Sequence, residues 1–194
     1  MISTLTAALL AGGDSRRMGS EKAALLIDGQ PLWRRQWRML RQLPADAVWL
    51  CVRQEPAWRT PDMEVVLDEP PSQGPLSGLA AAFGQLRSSH LLSLAVDLPQ
   101  MTPAHLEKLW AAARPGCGVI PTQGDYFEPL CAVYPVEAAA VAQQALRAED
   151  ASLQRFATKL ISEKLARPYS VAPEEKPLYH NLNSPSDLPS GGCE

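Results

Sequence analysis

The stretch that most constrains this chain is Leu5-Thr6-Ala7-Ala8-Leu9-Leu10, an almost wholly apolar run stopped within two residues by Gly12-Gly13. Both alternating faces of the run are apolar, which suits a strand buried on two sides in a parallel sheet. The run lacks the basic flank of a secretory leader, and the glycines cut it short. No uninterrupted apolar segment approaches the roughly 20 residues of a membrane span. A cytoplasmic protein without membrane association is expected.

Beyond the run the chain turns polar and cationic. Between Leu10 and Lys22, paired glycines let backbone approach a ligand closely, and Arg16, Arg17 and Lys22 place three cations within seven residues. The whole chain carries a net charge of -3, which argues against a nucleic-acid binder and makes any anion site local. Arginine can fork onto phosphate, and lysine acts as a mobile point charge.

Strand and helix signals alternate downstream. Ala24 to Ile27 is expected to lead into a turn at Asp28-Gly29, and strands are expected at 48–52, 64–67, 90–96, 119–120 and 130–134. Helices are expected from Pro31, from Gly74-Pro75 to about Leu86, from Thr102-Pro103 toward Ala113, and from Val136 to Arg147. The fold class is therefore α/β, with helices on both faces of a mostly parallel sheet. The 194 residues fit a single domain over 1–188. Ser186 to Glu194 should fray, with 189–194 a disordered tail. Ligands of such folds bind beyond the carboxyl ends of the strands, where the loops after Leu10, Asp68 and Asp97 begin.

Two common phosphate motifs are excluded. Ser20-Glu21 follows Gly19 where a Walker loop needs lysine, and the glycines do not fall as GxGxxG. The cysteines (Cys51, Cys117, Cys131, Cys193) form no CxxC pair, and read as buried apolar residues with Cys193 free in the tail. His90 and His105 read as structural. A solvated basic turn is the alternative to a phosphate cradle.

The motif Leu-Ala-Gly-Gly-x-Ser-Arg-Arg-Met-Gly, followed by Lys22, resembles the signature of the molybdenum cofactor guanylyltransferase family, within the nucleotidyltransferase superfamily. Asp68 with Gly74-Pro75-Leu76-Ser77-Gly78, Val96-Asp97-Leu98-Pro99, and Asn181-Leu182-Asn183-Ser184-Pro185 agree with it in order and spacing. The resemblance implies a three-layer, Rossmann-like nucleotidyltransferase fold and transfer of GMP from GTP to the molybdenum cofactor (molybdopterin). Leu10, Ala11, Gly12, Gly13 and Lys22 would bind GTP, Asp68 would contact the nucleotide, and Asp97 would hold Mg2+. Arg17, Lys22 and Asp97 would be catalytic, with Gly78, Asn181 and Asn183 at the ligand. A molybdoenzyme or its chaperone would receive the product.

The chain departs from the family pattern at Glu21 (commonly aspartate), Cys51 (often asparagine) and Ser184 (usually threonine). On the residues alone, a helix or turn cap is the lesser alternative for Asp97, Asp68 can equally bond turn amides, and the asparagines can be turn formers. Gly78 is expected to permit close packing of its helix on the sheet. Cytidylyl transfer to the same cofactor, sugar-phosphate nucleotidyl transfer, and a non-catalytic nucleotide-binding module are the competing functions.

Overall fold

A computed structural model describes residues 3–12, 22–68, 72, 74–148 and 151–182. Gly13, Arg16, Arg17, Glu21, Asn183, Ser184 and the expected tail lie outside the described residues. In chain order the strands are β1 (Leu5–Leu10), β2 (Leu26–Ile27), β3 (Gln30–Pro31), β4 (Ala47–Val52), β5 (Glu64–Leu67), β6 (His90–Ala95), β7 (Gly118–Gln123), β8 (Tyr126–Phe127), β9 (Cys131–Pro135) and β10 (Ala166–Ser170). The helices are α1 (Leu32–Leu40), α2 (Pro75–Gln85), α3 (Pro103–Ala112), α4 (Ala138–Arg147) and α5 (Leu153–Ser162), with 3-10 turns at Lys22–Ala24 and Pro173–Tyr179.

The main sheet runs β10-β7-β9-β6-β1-β4-β5, with β8 paired to β7. β1 lies between β4 and β6 and is parallel to both. The apolar run therefore forms the sheet's centre, and Ala7, Ala8 and Leu9 are wholly buried. β9 is antiparallel to both β6 and β7, so it runs against the sheet. The chain reverses direction across β1: β4 and β5 extend to one side, then α2 leads back to β6 on the other. That is a topological switch point, and it opens a crevice at the carboxyl ends of β1, β4 and β6.

Two apolar layers cover the sheet, and the period-2 alternation of the strands assigns residues to each. Leu5, Ala7 and Leu9 of β1, with Leu50 and Val52 of β4, pack with α1, α3 and the turn holding Tyr179. Ala8, Trp49 and Cys51 face the other way, into the layer of α2, α4 and α5. The three-layer architecture expected from the resemblance is thus observed.

Local signals fix the ends of elements. The Thr102 hydroxyl accepts from the His105 N–H at 3.3 Å, capping α3 ahead of Pro103. Asp28 and Gly29 both have positive φ (51° and 74°), as a two-residue hairpin turn between β2 and β3 demands. Pro31 lies at the N-cap of α1. No helix among the described residues is long and apolar enough to cross a membrane.

Candidate nucleotide-binding site

The crevice and its open mouth together span about 760 Å³ of atom-free space, and the walls come from the ends of several strands, a 3-10 turn and the start of α2. Leu10, Ala11 and Gly12 end β1 or follow it, Lys22 and Ala23 form the first 3-10 turn, and Cys51 and Val52 end β4. Asp68 follows β5, Gly74, Pro75 and Gly78 open α2, and Ala95, Val96 and Asp97 end β6. Leu130 completes the wall just before β9.

Backbone hydrogen bonds hold these strand ends in register. The Ala11 N–H donates to the Cys51 carbonyl at 2.9 Å, Asp68 N–H to the Val52 carbonyl at 2.9 Å, and Val96 N–H to the Leu10 carbonyl at 3.1 Å. On the far side, the Ala95 N–H bonds the Leu130 carbonyl at 2.7 Å. The rim is therefore a continuation of the sheet, and side chains mounted on it are held firmly.

Every described residue expected to meet the ligand reaches this crevice except Asn181. Gly12 sits so close to β4 that an added Cβ would lie 3.2 Å from the Arg53 nitrogen and 3.3 Å from the Val52 Cα. The expectation for Gly78 is corrected: a Cβ there would meet nothing within 4 Å. Close helix–sheet packing is not what a glycine permits at that position; it leaves crevice volume open. Asn181 is exposed and does not line the crevice, but its neighbour Leu182 donates its N–H to the Asp97 carbonyl at 2.9 Å.

The charged groups differ in burial. Lys22 Nζ lies 3.4 Å from Asp97 Oδ2, with about a quarter of each side chain exposed. Asp68 is buried, and its Oδ2 accepts from the Ser72 hydroxyl at 2.6 Å. Burial, reinforced by the Asp68 charge, pushes the Cys51 thiol up to about 12, so it presents a neutral S–H to the crevice. The N-cap of α2 is Gly74, so the start of this helix meets the crevice with backbone alone.

Among the described residues, Asp97 and Asp68 are the two carboxylates on the crevice wall, and no cluster of three or more metal-ligating side chains occurs. One or two carboxylates beside phosphate oxygens suit a magnesium ion, whereas a zinc site would need a fuller protein ligand set. The residues present fit an ion carried in with a polyphosphate.

The other candidate groups are structural. His90 bonds the Ser89 hydroxyl at 2.9 Å and the Arg114 carbonyl at 3.0 Å, and burial lowers its pKa. His105 bonds the Tyr179 hydroxyl at 2.6 Å. Cys51 and Cys131 are buried, Cys117 is partly so, and none of the three is in a disulfide. Sequence reasoning does not place Val52, Ala23 or Leu130 on the crevice wall; Val52 ends β4, Ala23 adjoins Lys22 in the 3-10 turn, and Leu130 immediately precedes β9.

A family model for the MobA-like NTP transferase domain matches residues 7–165. The chain is 38% identical over 188 residues to a probable molybdenum cofactor guanylyltransferase of Opitutus terrae, covering 95% of this chain and 93% of that protein. It is 32% identical to a molybdenum cofactor guanylyltransferase of Pseudomonas fluorescens, covering 96% and 94%. The crystal structure of molybdopterin-guanine dinucleotide biosynthesis protein A from Archaeoglobus fulgidus superposes with a TM-score of 0.75 at 24% identity, covering 94% of each chain. With its switch-point crevice and these relatives, the chain belongs to the MobA-like NTP transferase family and is a nucleotidyltransferase of molybdenum cofactor biosynthesis.

Proposed function

We propose that this protein transfers GMP from GTP to the terminal phosphate of the molybdenum cofactor in the cytoplasm, releasing pyrophosphate. The observation that carries this reading is the convergence of Gly12, Lys22, Asp68 and Asp97 on one crevice. The names of the full-length relatives support GTP and molybdopterin as the substrates.

An oxygen of the acceptor phosphate would attack the α-phosphorus of GTP. The new P–O bond forms as the bond from the α-phosphorus to the bridging oxygen breaks, and pyrophosphate leaves with that electron pair. A phosphate monoester, with a second pKa near about 6, is mostly dianionic at neutral pH. No protein base is needed, in keeping with the structural roles of His90 and His105. The obstacle is charge: two like charges about 4 Å apart repel by roughly 4 kcal/mol at an effective dielectric of 20.

The residues answer that obstacle by positioning and neutralisation. Leu10 to Gly13 would cradle the nucleotide, with Asp68 on its nucleoside portion and Gly78 leaving room beside α2. Lys22 and Arg17 would stabilise charge accumulating on the departing pyrophosphate. Asp97 would hold Mg2+, which when bound supplies positive charge to phosphate oxygens. Asn181 and Asn183, on either side of the Leu182 that ties to Asp97, would orient the acceptor phosphate. The product would pass to a molybdoenzyme or its chaperone.

Pyrophosphate release with purified molybdopterin and each of GTP, CTP, ATP and UTP tests this reading. Release with GTP at a rate at least about tenfold above the other three is expected, the discrimination of a site that hydrogen-bonds the correct base. Preference for CTP would assign cytidylyl transfer instead, and no release with any nucleotide would leave a binding module.

A further inference from the structure

The loop that carries Asp97 is braced from the layer beneath it by a residue that no sequence motif includes. Gln36 lies midway along α1 and is 1% exposed. Its buried neighbours on the same helix are Leu32, Trp37, Met39 and Leu40. From this apolar stripe, Gln36 Nε2 donates to the Leu98 carbonyl at 2.5 Å, 62 residues away in sequence. A carbonyl can only accept, so the amide must present its nitrogen there. Its other end, Oε1, is buried without a hydrogen-bond partner among the described residues.

A half-satisfied amide is an expensive way to fill a core position, and packing alone would favour leucine or methionine there. The gain lies in what the nitrogen grips. Consecutive carbonyls of the loop are held by different parts of the chain: Asp97 by the Leu182 N–H at 2.9 Å, Leu98 by Gln36. The Val96 N–H, just before them, is tied to Leu10 at 3.1 Å. The backbone either side of the Asp97 side chain is thus clamped by β1, α1 and the segment after the last 3-10 turn.

We infer that Gln36 is a positioning residue for the nucleotidyl transfer, holding the Asp97 loop so that its carboxylate faces the phosphates in the crevice. This rests on the role proposed for Asp97. Outer partners that orient a ligating side chain are commonly worth about 10- to 100-fold in activity or metal affinity.

Gln36→Met keeps the volume and removes the donor; Gln36→Glu keeps the shape and puts an acceptor against the carbonyl. Both are expected to lower kcat about 10- to 100-fold and to raise the magnesium concentration for half-maximal rate. The KM for GTP at saturating magnesium should hold within about threefold, since the nucleotide-facing groups are untouched. A second readout needs no substrate: amide hydrogen exchange at Val96, Met101 and Leu182, whose N–H groups bond the Leu10, Leu98 and Asp97 carbonyls, should quicken about tenfold or more in Gln36→Met. A lower Tm with unchanged kcat, magnesium dependence and exchange would overturn the inference. Wild-type turnover by Asp97→Asn would instead sink the role of Asp97, while the exchange measurement would still decide whether Gln36 holds the loop.

Discussion

Lys108 and Glu175 approach to 2.5 Å, whereas Lys22 and Asp97 stand 3.4 Å apart at the crevice. The first pair is crowded with partners. Glu175 also accepts from the Tyr169 hydroxyl at 2.8 and 3.0 Å and the Ala172 N–H at 3.0 Å, and His105 lies 3.6 Å away. Burial pushes the Glu175 carboxyl up, but the hydrogen bonds from Lys108, Ala172 and Tyr169 outweigh it and hold the group at about 2. The carboxylate is saturated, and it ties α3, β10 and the turn at Pro173–Tyr179 together. Asp97 is loosely paired and open to the crevice. A carboxylate spent on internal partners builds the fold, and one left with capacity can take a ligand.

Mutation should separate the two. Lys22→Ala and Asp97→Ala are each expected to cost about 10²- to 10³-fold in turnover, the loss typical of a single charge-stabilising group. Both should barely alter Tm, because a part-exposed ion pair is worth about 1 kcal/mol or less. Wild-type turnover in either variant would erase the distinction between the pairs.

Glu175→Gln should do the reverse. It should lose about 1–3 kcal/mol of stability, with Tm falling about 2–4 °C for each kcal/mol, while turnover per folded molecule is retained. The sign of its pH dependence is set by a folded-state pKa below the ordinary 4.5. Stability from Glu175 is fully present above pH 4.5 and is lost as pH falls toward about 2. Urea midpoints of the wild type and Glu175→Gln should therefore converge between those limits; a gap constant with pH would count against the depressed pKa.

The smallest expected effect is at Gly78. Because a Cβ there meets open space, Gly78→Ala should be neutral or stabilising by up to about 1 kcal/mol in α2. The methyl group would enter the crevice, and the KM for GTP should rise about three- to tenfold. A destabilised variant with unchanged KM would show that the glycine serves packing after all.

The crevice is more legible in the sequence than the brace. Leu5–Leu10, Asp68 and Asp97 announce themselves because an apolar run ending in glycine or aspartate marks the end of a buried strand. The Glu175 network is dispersed over residues 105 to 179, and only folding brings its members together. Between 148 and 180 the sequence reading assigns no element, although α5 carries Phe156, Ala157 and Leu160 at helical spacing behind a Ser152 cap. In β10, Pro168 disguises a strand, and it is tolerated because β10 lies at the sheet edge. Gln36 hides for the opposite reason: a polar residue in an apolar stripe reads as an interruption until Leu98 is seen above it. Gly78 reads wrongly because a sequence cannot show whether a missing Cβ leaves contact or emptiness.

The reversed strand β9 divides the rim into two kinds of wall. On the β1, β4 and β6 side, each loop departs from a strand whose neighbours fix where it must start. Next to β6, the chain instead arrives at the rim through Leu130 and only then enters β9. An arriving loop can lengthen or change shape upstream without shifting the register of the strands that hold Gly12 and Asp97. One wall can thus be retailored while the other keeps the geometry of its strand ends.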